Sequence, residues 1–172
     1  MDLEQIKKLR EKTSLGINDC KKALEEAGGD FEKALTILKK RGIEIMEKKA
    51  QKVTSQGIIE SYIHFGGNLG SLVEVNCETD FVARTDIFKK FAKNIAMQVA
   101  ATNPKYIKRE DISQEEKEKI EDIDEYAKEN CLLEQLFIKD NKLTIKDYLQ
   151  QIISQTGENI AIKRFIRFSL GE

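Results

Sequence analysis

Gly57–Arg84, GIIESYIHFGGNLGSLVEVNCETDFVAR, is the stretch in which the chain changes its period. Before it, apolar residues recur at helical spacing; from Gly57 they alternate. Ile59, Ser61, Ile63 and Phe65 fall on one face of a strand, with Glu60, Tyr62 and His64 opposite. Gly66-Gly67-Asn68-Leu69-Gly70 supplies turn chemistry, and Ser71–Glu78 returns with Val73, Val75 and Cys77 on one side. That is a β-hairpin with a glycine-rich loop. His64, the only histidine, lies on the more polar strand face and reads as a half-exposed surface residue.

Upstream the pattern is helical. Leu3, Ile6 and Leu9 mark a first helix that ends at Thr13–Gly16. Asn18 opens a second through Ala23, Leu24 and Ala27, and Gly28-Gly29 stop it. Asp30 caps a third, whose buried stripe is Phe31, Ala34, Leu35 and Leu38. The Lys-rich run Lys39–Lys52 continues as helix or linker.

Downstream, Thr85–Thr102 predicts a long helix with Phe88, Phe91, Ala92, Ile95 and Val99 on its core face, ended by Asn103-Pro104. The acidic stretch Ser113–Asn130 predicts another, with Ile120, Ile123 and Tyr126 as a narrow apolar stripe. Lys139–Lys142 marks a turn, and Thr144 with Asp147 resembles a capping box opening a helix to Gly157. In the closing strand Ile160, Ile162, Ile166, Phe168 and Leu170 alternate with Ala161, Lys163, Phe165, Arg167 and Ser169. Phe165 thus falls on an otherwise polar side, as a partner contact (a second copy of the chain) or as a lone surface residue. The order predicts a three-helix module with its connector over 1–52. An α+β core follows over 53–172, with a small three-stranded antiparallel sheet and flanking helices.

Near-balanced charge, 29 basic against 30 acidic residues, argues against a dedicated nucleic-acid binder. No apolar run is long enough to span a bilayer and no secretory signal is visible, so a cytoplasmic protein without a membrane partner is expected. Cys20, Cys77 and Cys131 are far apart and form no CxxC pair, so free thiols are expected and no metal site. The glycines at 66, 67 and 70 lie inside a hairpin and not before a helix, so no nucleotide or other cofactor is expected. An enzyme built on Cys77, His64 and Asp80 has only residue types in its favour; no catalytic residues are assigned.

Two segments carry a family resemblance. Leu9–Leu24, LREKTSLGINDCKKAL, and Val73–Arg84, VEVNCETDFVAR, resemble the two signatures of the elongation factor Ts family, in the right order and at the right separation. The ending GENIAIKRFIRFSLG (Gly157–Gly171) and CLLEQLFIKD (Cys131–Asp140) are similar to the same family's terminal strand and later core. The resemblance implies a guanine-nucleotide exchange factor for elongation factor Tu, which binds the GDP complex and the nucleotide-free protein. It also implies that the helical module, similar to ubiquitin-associated domains, docks on the partner's G domain through Arg10, Ile17 and Asn18. Asn18 departs from the bulky apolar residue often found there. On the residues alone, Arg10 reads equally as a solvated helix-end cation and Ile17 as a core residue of its loop. The chain ends after what looks like a single core repeat and its acidic stretch looks abbreviated, so it resembles the short form. Short members form homodimers through their terminal strands, a role that Phe165 fits.

Thr79 and Asp80 are good capping residues, with Phe81 in the first turn that follows. On the residues alone, Asp80 caps and Phe81 packs back onto the core as a staple. The resemblance implies the opposite: Thr79, Asp80, Phe81 and Val82 form a tip whose aromatic ring enters the partner and dislodges Mg²⁺ and the phosphate-binding loop. A ubiquitin-associated-type adaptor, which only binds a partner helix, explains the opening helices and none of the rest.

Overall fold

The computed structural model describes residues 3–13, 15–50 and 52–172. The chain opens with α1 (Leu3–Thr13), α2 (Ile17–Glu26) and α3 (Phe31–Ala50), followed by β1 (Gln56–Ile63) and β2 (Leu69–Cys77). Next come the one-turn α4 (Asp80–Ala83), α5 (Asp86–Thr102), α6 (Gln114–Lys117) and α7 (Ile123–Asn130). It closes with β3 (Leu136–Phe137), β4 (Asp140–Thr144), α8 (Ile145–Thr156) and β5 (Ile160–Ser169).

Ile6, Leu9, Leu15, Cys20, Ala23, Leu24, Ala34 and Leu38 form the core of the first three helices. Leu3, expected with them, is exposed. Gly28 and Gly29 both take positive φ and reverse the chain between α2 and α3. Asp30 then caps α3 by accepting from Lys33 N at 3.0 Å. The Lys-rich run continues α3 as helix as far as Ala50.

The main core lies between a sheet of order β1-β2-β5, all antiparallel, and the helices α5 and α8. Phe88, Phe91, Ala92, Ile95 and Val99 of α5 meet Val73, Val75 and Cys77 of β2. Ile160 and Ile162 of β5 and Ile145, Leu149, Ile152 and Ile153 of α8 complete it. The architecture is α+β, as the element order predicts.

Both outer strands depart from the faces their alternation suggests, β1 along its length and β5 beyond a bulge. In β1, Ile58 and Tyr62 pack against the core, while Ile59 is 69% exposed and Ile63 is exposed too. Register explains this: Glu60 pairs with Val73, which faces the core, so Ile58, Glu60 and Tyr62 follow it inward. In β5 the register shifts, Glu74 pairing with Arg164 but Val75 with Ile162, which leaves Lys163 as the extra residue of a bulge. Beyond it the faces exchange. Phe165 is therefore half-buried against the main core, not on a polar outer side, and Ile166 and Phe168 point outward, Phe168 at 63% exposure.

The acidic stretch is two short helices instead of one. Asp122 caps α7, accepting from Asp124 N at 2.9 Å and Glu125 N at 3.0 Å. The break lets Glu116 fold back to accept from the hydroxyls of Tyr106 and Tyr126, the latter at 2.8 Å. A straight helix would hold positions 116 and 126 about 15 Å apart. Lys139–Lys142 lies in an additional hairpin, β3–β4, that the sequence reading did not foresee. The Thr144/Asp147 capping box is present, and Gly157 ends α8 in the left-handed conformation, φ 75°.

Candidate functional site

β2 delivers Cys77 into the core, and the chain then turns outward. Cys77 Sγ donates to the Thr79 carbonyl at 3.1 Å. Thr79 is extended, φ −125° and ψ 156°, and its Oγ1 accepts from Val82 N at 3.4 Å. Thr79 therefore caps α4, where the residue pattern alone put Asp80. Asp80 pairs instead with Arg84, one turn on, at 2.8 Å; both side chains are largely exposed, so the pair contributes little. Val82 packs against the main core and Ala83 is buried. Phe81 is 78% exposed, which rules out the staple.

A single exposed apolar residue is ordinary. The way its backbone is held is not. Thr79 N donates to Glu158 Oε2 at 3.0 Å, and Thr79 Oγ1 donates to Glu158 Oε1 at 2.5 Å. Glu78 Oε1 accepts from Asn159 N at 2.7 Å, and Glu78 Oε2 lies 3.0 Å from Lys52 Nζ. Asn159 Nδ2 donates to the Lys52 carbonyl at 3.0 Å. Glu78, Glu158 and Asn159 were not singled out from the sequence, although GEN opens the recognised ending.

The surroundings of Cys77 disfavour a thiolate. Burial, reinforced by the nearby Glu158 charge, pushes its thiol up to about 11, the reverse of what an activated thiol needs. His64 spends its ring on Tyr62, whose hydroxyl lies 3.0 Å from Nδ1. Among the described residues no group of three or more His, Cys, Asp or Glu is placed to hold a metal ion. None of the described helices is long and apolar enough to cross a membrane.

Arg10, Ile17 and Asn18 are all exposed at the end of α1 and the start of α2. Leu15 takes the buried loop position, which frees Ile17 to face out. The three line one open groove together with Ile87 of α5 and Ser154 and Gln155 of α8. The groove thus joins the helical module to the first turn of the helix that follows the Phe81 turn. Phe165 lies apart from both, under the sheet.

The uncovered outer face of the sheet carries Ile59, Ile63, Leu72, Ile166 and Phe168, with Ser61, Leu72 and Ile166 in one cross-strand row. Gly70 separates Ile63 from Phe168 in the next row, and the Glu74–Arg164 ion pair, 2.6 Å, borders the patch.

The family model described as Elongation factor TS matches residues 4–126 and 121–172, so the two matched segments meet inside the acidic stretch. Elongation factor Ts of Carboxydothermus hydrogenoformans is 48% identical over 192 aligned positions, covering 98% of this chain and 88% of that protein. Elongation factor Ts of Thermoanaerobacter sp. is 49% identical, covering 98% and 94%. Elongation factor Ts of Thermotoga petrophila is 49% identical over 193 positions, covering 100% and 97%.

Proposed function

Because this chain belongs to the elongation factor Ts family, we propose that it is a guanine-nucleotide exchange factor for elongation factor Tu in translation elongation, and that its Phe81 turn drives GDP release. Phe81 is the wedge, Asp80 its polar companion, and Thr79 and Val82 the flanks that hold the turn. The observation that supports this is the exposure of Phe81 on a turn whose opposite side is packed on the core. A wedge needs stiffness and no acid–base group, which agrees with a site that holds no activated nucleophile.

GDP on a G protein is held by backbone amides around its phosphates and by Mg²⁺ bridging phosphate to a loop hydroxyl. Displacing the ion leaves phosphate charge poorly compensated. Weakening GDP a thousandfold takes about 4 kcal/mol, which must come from contacts elsewhere. By linkage, GDP then weakens the factor's own binding by the same thousandfold, so fresh nucleotide releases it. The anchoring falls to Arg10, Ile17 and Asn18 of the 1–52 module, docked on the G domain, while the 53–172 core carries the tip. The chain acts without covalent chemistry, in the cytoplasm. It acts as a homodimer, joined through Ile166 and Phe168 where the sequence had suggested Phe165.

Phe81→Ala tests the wedge. The variant folds as the wild type does, and its maximal stimulation of fluorescent-GDP release from elongation factor Tu falls tenfold or more (~1.4 kcal/mol or more). Undiminished stimulation would sink the assignment.

A further inference from the structure

We propose that Glu158 is a positioning residue for exchange: its carboxylate locks Thr79, and through Thr79 it fixes the direction in which Phe81 points. The inference rests on the reading of Phe81 as the wedge. α4 has one turn and no stability of its own. Its orientation comes from the packing of Val82 and Ala83 and from its cap.

The cap is set from across the fold. Both Thr79 donors end on one carboxylate, the N–H at 3.0 Å and the hydroxyl at 2.5 Å, and hydrogen bonds to an ionised acceptor are the stronger kind. With its proton committed to Glu158, the hydroxyl turns a lone pair toward Val82 N, 3.4 Å away. One oxygen thus serves the clamp and the cap together. Without Glu158 the hydroxyl is free to rotate and the Thr79 N–H loses its partner.

Glu158 is itself held in place. It follows Gly157, whose left-handed backbone turns the chain off α8, and its N–H donates to Thr156 Oγ1 at 3.4 Å. The next residue reciprocates: Asn159 N donates to Glu78 at 2.7 Å. Two adjacent carboxylates, one from each turn, therefore stitch the β2–α4 turn to the α8–β5 turn. The helix that ends in this stitch also supplies Ser154 and Gln155 to the groove beside Ile17. The tip and the anchoring surface therefore share α8 as a common support.

The test compares full-length Glu158→Ala, Glu158→Gln, Phe81→Ala and the Phe81→Ala/Glu158→Ala double variant. Fluorescent-GDP release from elongation factor Tu is followed over factor concentration, giving a maximal rate and a half-saturating concentration. Glu158→Ala is expected to lower the maximal rate about tenfold and to move half-saturation less than about twofold, because the anchor is untouched. Glu158→Gln keeps one acceptor and falls between it and the wild type. In the Phe81→Ala background, removing Glu158 costs nothing further, a coupling that a residue serving only fold stability does not produce. A wild-type rate for Glu158→Ala beside a slow Phe81→Ala overturns the proposal, as does a full additional loss in the double variant. A wild-type rate for Phe81→Ala overturns the wedge itself, whatever Glu158 does. If Glu158→Ala does not fold, Glu158→Gln alone and in the Phe81→Ala background is judged by the same rule.

Discussion

Glu116 shows how a single side chain organises a satellite cluster. Its carboxylate accepts from both Tyr106 and Tyr126, above the small core of Ile112, Ala127 and Cys131. The hydrogen bond from Tyr106, then that from Tyr126, holds its carboxyl below the ordinary 4.5, and the same bond pushes Tyr106 up to about 12. The signs are opposite in form and alike in effect. A lowered carboxyl contributes stability above the unfolded value and loses it as pH falls through the folded one. A raised tyrosine contributes below 10 and loses it as pH rises toward 12. The cluster should therefore hold between about pH 4.5 and 10 and loosen on either side. Near-UV circular dichroism reads this directly, since the chain has four tyrosines and no tryptophan. Glu116→Gln should flatten both edges of the profile. Tyr126 was legible as an apolar-stripe residue. Its bond to Glu116 was not, because helical periodicity drew one helix through both.

At the scale of elements, local patterns carried far and failed at register. The hairpin, the Thr144 capping box and the core face of α5 follow from spacing and cap chemistry that act within a turn or two. The faces of β1 and β5 do not, because they depend on which residue stands opposite in the neighbouring strand. Gly57 marks how tightly that pairing is drawn. At φ 153° a Cβ there would stand 2.2 Å from the Val75 carbonyl oxygen and 2.7 Å from Asn76 Cα. Gly57→Ala should destabilise the chain by roughly 2 kcal/mol or more, read as a lower melting temperature, by forcing the β1–β2 pair apart. A melting temperature equal to the wild type's would show that the strands yield at no cost. The Phe81 turn divides in the same way. That a helix starts there was readable from Thr79 and Asp80, although the pattern took Asp80 for the cap, whereas its clamp comes from a residue 79 positions further on.

For the molecule as a whole, the sheet has one face against α5 and one against nothing among the described residues. Ile59, Ile63, Leu72, Ile166 and Phe168 gather on that open face, a contiguous apolar surface of the kind that marks contact with another protein. If it joins two copies, Phe168→Asp should give a folded monomer by sedimentation equilibrium while the wild type sediments as a dimer. A wild-type monomer at micromolar concentration would remove the pairing from the proposed mechanism. Replacing Phe165, which sits beneath the sheet, should instead lower the melting temperature.

The bulge at Lys163 gives β5 a phase as well as a sequence. Ile160 and Ile162 before it, and Phe165 after it, all face inward only because one residue is counted out between them. Chimeras that splice this strand to a relative's must therefore keep the extra residue and the bulge together between Ile162 and Arg164. A graft that keeps all ten residues but pairs them without the bulge would interchange the buried and exposed sets downstream. It would place Ile166 and Phe168 under the sheet and Phe165 on the face available to a second copy.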